Sequence, residues 1–161
     1  MTRDTGPVRQ ESPDQRADRN WSDLLQELRV SQTGVQLLAA FLVTLPFQSR
    51  FPELDDFQKH WYLGLLALAF ATVGVTLTPV AIHRRLFHLG VKPRLVSAGH
   101  VLTELTLGLV ALLLSGIAFL VVDVVLDRTA AVVAGGGSLL ILLLLLVVLP
   151  RAVARGVAHR T

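Results

Sequence analysis

Four long apolar runs dominate the chain, at residues 30–47, 61–82, 105–122 and 130–149. They are 18 to 22 residues long. A bilayer core of about 30 Å takes roughly 20 helical residues to cross. A soluble helical bundle would need a polar face on each helix. The stretch "GGGSLLILLLLLVVLP" has none. The pattern therefore predicts an all-α membrane protein, a bundle of four transmembrane helices.

Between the runs, shorter signals set the boundaries. Residues 1–19 mix Arg, Asp, Gln and Pro without a hydrophobic period, so a disordered tail is expected there. Asn20 suits a helix N-cap, with Asp23 three positions on. Trp21, Leu24, Leu25 and Leu28 recur at helical spacing and lead into the first span. Asp55 and Gln58 have the spacing of a capping box for the second span, where Trp61 and Tyr62 would anchor at an interface. Gly90 suits a helix end and Pro93 a helix start. Asp127 or Thr129 would cap the fourth span, and Pro150 with Arg151 would close it. The membrane domain is thus expected over residues 20–149, followed by a basic tail at 150–161.

The net charge of +3 says less than its placement. Residues 1–29 hold five Lys/Arg, 83–99 hold four and 150–161 hold three. The remaining connections hold only Arg50, Lys59 and Arg128. By the positive-inside rule, both termini and the central loop are expected in the cytoplasm, and the chain in the inner membrane. The loop "HRRLFHLGVKPR" reads as a topology signal that meets anionic lipid head groups, rather than as a nucleic-acid patch. No early apolar segment of the signal-peptide kind is visible, and there is no cysteine for disulfides or thiol chemistry.

Candidate chemistry centres on Glu104. After it, 18 residues pass before the next ionisable side chain, Asp123. A span starting at Leu105 puts Glu104 at the inner boundary; one starting at Leu95 puts it about 14 Å deep, where charge is expensive. Ser97, His100, Glu104, Gly108, Ala111, Ser115 and Ala118 form one stripe of small and polar residues. The second span has Ala69, Thr72, Thr76, Pro79 and His83; the first has Arg29, Gln32, Gln36 and Ala40. Membrane helices pack through small residues and turn polar groups away from lipid. The three stripes are therefore expected to face one another, with the fourth span outside. Gln32, Gln36, Thr72, Thr76 and Ser115 would line the bundle. Glu104, His100 and His83 would form an inner-boundary cluster with Arg29 and Arg84 as charge partners. Either Glu104 locks the helices through a basic partner, or it binds a proton or cation beside a titrating histidine.

Other motifs are weaker. "HRRLFH" has the shape of a histidine box, but five histidines fall short of a di-iron set, and His100 with Glu104 supplies only two ligands to a metal. No nucleotide fingerprint or nucleophilic triad is present, so neither a cofactor nor an enzyme activity is expected.

The stretch "NWSDLLQELRVSQTGVQLLAAFLVTLPFQSRF", with "TPVAIHRRLF" and "GHVLTELTLGL", resembles a family of small bacterial four-span membrane proteins of unknown function. The resemblance covers residues 20–127. Some members carry an automatic label of sodium:proton antiporter. The resemblance implies no catalytic residues. Two functions are expected from residues and resemblance together. One is transport of Na+ or H+ through the Glu104 cluster, which in so small a chain requires a homo-oligomer. The other is a structural or regulatory membrane protein that binds a membrane partner through its basic cytoplasmic face.

Overall fold

The computed structural model describes residues 13–86 and 92–158, and all of its regular structure is helical. Four helices are long and apolar enough to cross a membrane, over Ser22–Phe47, Asp56–Ile82, Val101–Val125 and Arg128–Val153. They belong to α1 (Pro13–Thr44), α2 (Asp56–Leu86), α3 (Lys92–Val125) and α4 (Arg128–Leu143). α4 runs on through a π-helical segment, Leu144–Val148, into α5 (Leu149–Ala158). A helix meets all its backbone hydrogen bonds internally, which is what a segment in lipid requires.

The helix ends follow local chemistry. At the start of α2 the Asp55 and Gln58 side chains each accept from the other's backbone N–H, at 2.7 and 3.0 Å, closing a reciprocal capping box. At α4, Asp127 Oδ1 accepts from the backbone N–H groups of Thr129 and Ala130. Pro93 sits in the first turn of α3, where its missing N–H costs nothing. α1 starts at Pro13, seven residues before the Asn20 cap read from the sequence, so 13–19 are helical rather than part of the tail. The C-terminal end differs likewise. Pro150 lacks the N–H that would bond the carbonyl four residues back, and its ring crowds that carbonyl. The preceding turn widens, and the Leu149 N–H bonds Leu144 O, five residues back. The helix then continues to Ala158, so most of the expected tail is helical.

α3 is the central helix. It packs on α1, α2 and α4; α1 also packs on α2. The core is Ala39 and Leu42 of α1, Tyr62, Leu65 and Ala69 of α2, and Leu113 and Leu120 of α3. α2 presents the face read from sequence: Ala69, Thr72, Thr76 and Pro79 are all buried. Tyr62, in the second turn of α2, is a core residue, and its hydroxyl donates to Leu42 O at 3.0 Å.

Two expected faces are corrected. α1 buries Leu24, Leu28, Val35, Ala39 and Leu42, while Arg29, Gln36 and Ala40 are exposed and Gln32 is half-buried. Its apolar stripe is long enough to fill the seam alone, so the polar stripe turns outward. On α3, Leu113 and Leu120 meet α1 and α2. The stripe of Glu104, Gly108, Ala111 and Ser115 lies half a turn away and faces α4. There the Cβ absent from Gly135 would stand 2.9 Å from Phe119 Cβ and 3.4 Å from Ser115 O. That glycine lets α4 approach α3 closely.

Candidate functional site

Two polar regions lie at opposite ends of the membrane bundle. On α3, eighteen residues lie between Glu104 and Asp123, a rise of about 28 Å and so close to one hydrocarbon thickness.

Glu104 stands on the face of α3 that meets the end of α4. It is exposed and opens into a recess of about 280 Å3 between α3 and the α4–α5 junction. Gly108, Ala111, Leu146, Pro150 and Arg151 share its wall. Glu104 makes no hydrogen bond or ion pair with any described residue. Arg29 is on α1, across the α3 core face, and is not its partner. Arg151 reaches the same recess, but its guanidinium donates to Val147 O at 3.4 Å. The side chains of His83, Arg84 and His100 lie outside the described residues. Among the described residues, Glu104 and Arg151 share one wall and Arg29 stands apart.

The expected polar lining does not form a path either. Thr72 donates to Leu68 O, Thr76 to Val73 O and Ser115 to Ala111 O, each at 2.7 Å. These hydroxyls are buried and spent on their own helices. On α1, Gln36 is exposed and Gln32 half-buried.

At the loop end a connected network forms that the sequence reading missed. The Asp123 side chain is only 2% exposed. Its carboxylate accepts from Arg128 Nε at 2.7 Å and from Gln58 Nε2 at 3.0 Å. Arg128 also reaches Asp55 Oδ2 through its second guanidinium nitrogen at 3.2 Å, and its Cζ lies 3.8 Å over the Phe57 ring. Since Asp55 caps α2 through Gln58, the four residues close a ring that ties α2, α3 and the start of α4. An aromatic group lies beneath it. Trp61 and Phe119 have ring centroids 4.6 Å apart, and Trp61 Nε1 donates to Gly116 O at 3.0 Å. The clue in the sequence was the pair Asp123 and Arg128 flanking the break between two spans. What it joins, the start of α2, depends on packing.

These features describe a small polytopic membrane protein: three tightly packed spans, a fourth on one seam, a polar ring at one face and an open acidic recess at the other. A model of a family of unknown function, DUF6328, matches residues 10–150, and the chain belongs to that family. No curated protein and no solved structure matches it.

Proposed function

We propose that this protein is a membrane-embedded docking module. Its end bearing both chain termini would face the cytoplasm, meet anionic lipid and hold a membrane partner. The observation that carries this reading is where polar groups are spent. Thr72, Thr76, Thr106 and Ser115 bond their own helices, Asp123 is held by Arg128 and Gln58, and the core cluster is Leu, Ala and Tyr. Among the described residues the bundle interior thus gives an ion no file of free oxygens. Arg29, Glu104 and Arg155 are exposed toward the termini without a partner among the described residues, as are Asp23 and Glu27, while Asp56 and Lys59 lack one at the other end. Four further cations, Arg84, Arg85, Lys92 and Arg94, flank the α2–α3 turn at that same end. Each cation near an anionic surface is worth about 1 kcal/mol.

The test uses the full chain in proteoliposomes. With an imposed Na+ or pH gradient and an internal pH dye, flux should equal that of protein-free vesicles. Spin-labelled anionic lipid should associate in preference to neutral lipid, and Gln at positions 84, 85, 92 and 94 should remove the preference. Flux above background, or no lipid preference, sinks the docking reading.

A second reading rests on Glu104 itself. An open carboxylate at the membrane boundary, without a basic partner among the described residues, has the form of a proton or cation exchange site. It would need a path supplied by an assembly of chains. Flux that vanishes in Glu104→Gln would carry it.

A further inference from the structure

We propose that the outward face of α1 is a homodimer interface in which Gln32 and Gln36 of two copies hydrogen-bond each other across a two-fold axis normal to the membrane.

Pro46 lies in the turn that ends α1 at the loop side. Gln36 is ten residues below it, about 15 Å along the axis, and so near the middle of a 30 Å hydrocarbon layer. At that depth an exposed amide faces lipid, which neither donates nor accepts a hydrogen bond.

The hydroxyls on the same helix have solved this problem. Ser31 donates to Glu27 O, Thr33 to Arg29 O and Thr44 to Phe41 O. Neither amide does so. Gln36 is exposed and Gln32 half-buried, and neither bonds to any described residue. They are left with a donor pair and an acceptor each, inside a span.

The occupant follows from symmetry. Copies inserted in one membrane run parallel, so a two-fold axis along the normal brings residues of equal depth together. Each patch must then complement itself. A carboxylate or guanidinium cannot, but an amide can, because it carries donor and acceptor in one group. Gln32, Gln36 and Ala40 fall in one i, i+4 row, with small Ala40 allowing the backbones to converge. Arg29, one turn nearer the termini, has a stem long enough to carry its charge to the head groups. The proposal is independent of what the protein does, since it concerns the face of α1 away from Glu104.

The chain has no cysteine, so a single introduced thiol reports its own position. In bilayers, Gln36→Cys should form a disulfide-linked dimer under mild oxidant, and Leu37→Cys, on a different face, should not. Dilution of labelled wild-type chains in lipid, read by single-molecule photobleaching, should show two-step bleaching. The double variant Gln32→Leu/Gln36→Leu should raise the dissociation constant by about tenfold or more. Gln36→Asn, which keeps the amide, should retain most of the association. Single-step bleaching of wild type at every protein-to-lipid ratio overturns the proposal. So does a dimer that survives the double leucine change, or one that cross-links through Leu37→Cys and not Gln36→Cys. The leucine variants place apolar groups against lipid, so their folding is checked by the unchanged helical signal of the monomer.

Discussion

Replacing Arg128 by Gln would remove the cation from the loop-end ring and leave the Asp123 carboxylate with Gln58 alone. The cost can be worked from the contacts. Asp123 is 2% exposed at its side chain, Arg128 44%. Breaking a fully buried pair costs roughly 3–5 kcal/mol, most of it the penalty on the charge left behind. Here the arginine is open to water, and the screened share of the attraction is correspondingly small. The carboxylate retains one neutral donor, worth about 1 kcal/mol. The expected loss is then about 2 kcal/mol. Asp123→Asn should cost less, about 1 kcal/mol, because it keeps an acceptor for Gln58 and leaves Arg128 free to reach Asp55 and solvent. The double variant should be more stable than the sum of the singles predicts, with a coupling of about 1 kcal/mol. Reversible unfolding of the full chain in mixed micelles, at matched detergent fraction, measures all three. A coupling within error of zero would mean that Asp123 and Arg128 are solvated separately. The ring would then not tie the helices.

Gly135→Ala should destabilise by about 1–3 kcal/mol, since its methyl meets Phe119 Cβ at 2.9 Å, whereas Gly136→Ala, with nothing within 4 Å, should be neutral or stabilising; thermal unfolding in detergent separates them. Asp127→Ala removes the cap on two backbone N–H groups and should cost about 1 kcal/mol in the same assay. Glu104→Gln should leave the melting temperature unchanged, because no described residue pairs with it; a clear fall would reveal a basic partner and restore the lock reading. A reporter fused after Thr161 should be active in the cytoplasm and one inserted near Asp56 exported; the reverse would overturn the proposed orientation.

Which parts of this structure were legible in the sequence depends on the range of the interaction. The four spans were plain because 18 to 22 apolar residues in succession have one cheap environment. The Asp55–Gln58 box and the Asp127 cap were legible because caps act within four residues. The buried face of α2 was legible because its small residues and hydroxyls share one side with no rival. On α1 two stripes competed, and assigning the polar one to the interior was the error. A hydroxyl can bond its own helix and an amide on a longer stem did not, so polarity alone does not tell which face is inside. For Glu104, nothing local says that its side of α3 receives α4 rather than α1. Nor does anything local say that Asp123 meets the capping box of a helix 65 residues earlier.

α4 touches the bundle along a single seam. The core cluster of Leu42, Tyr62, Ala69 and Leu113 is built from the first three spans alone, which precede the fourth in the chain. The last span then covers the face of α3 that carries Ala111, Ser115 and Phe119. Its contribution at that moment is parity: an odd number of crossings becomes even. It brings Arg151 and Arg155 back to the side where α1 began, and only then is the recess beside Glu104 given its second wall. A chain halted after α3 would keep the core that α1, α2 and α3 share and lose both the α3–α4 seam and that recess.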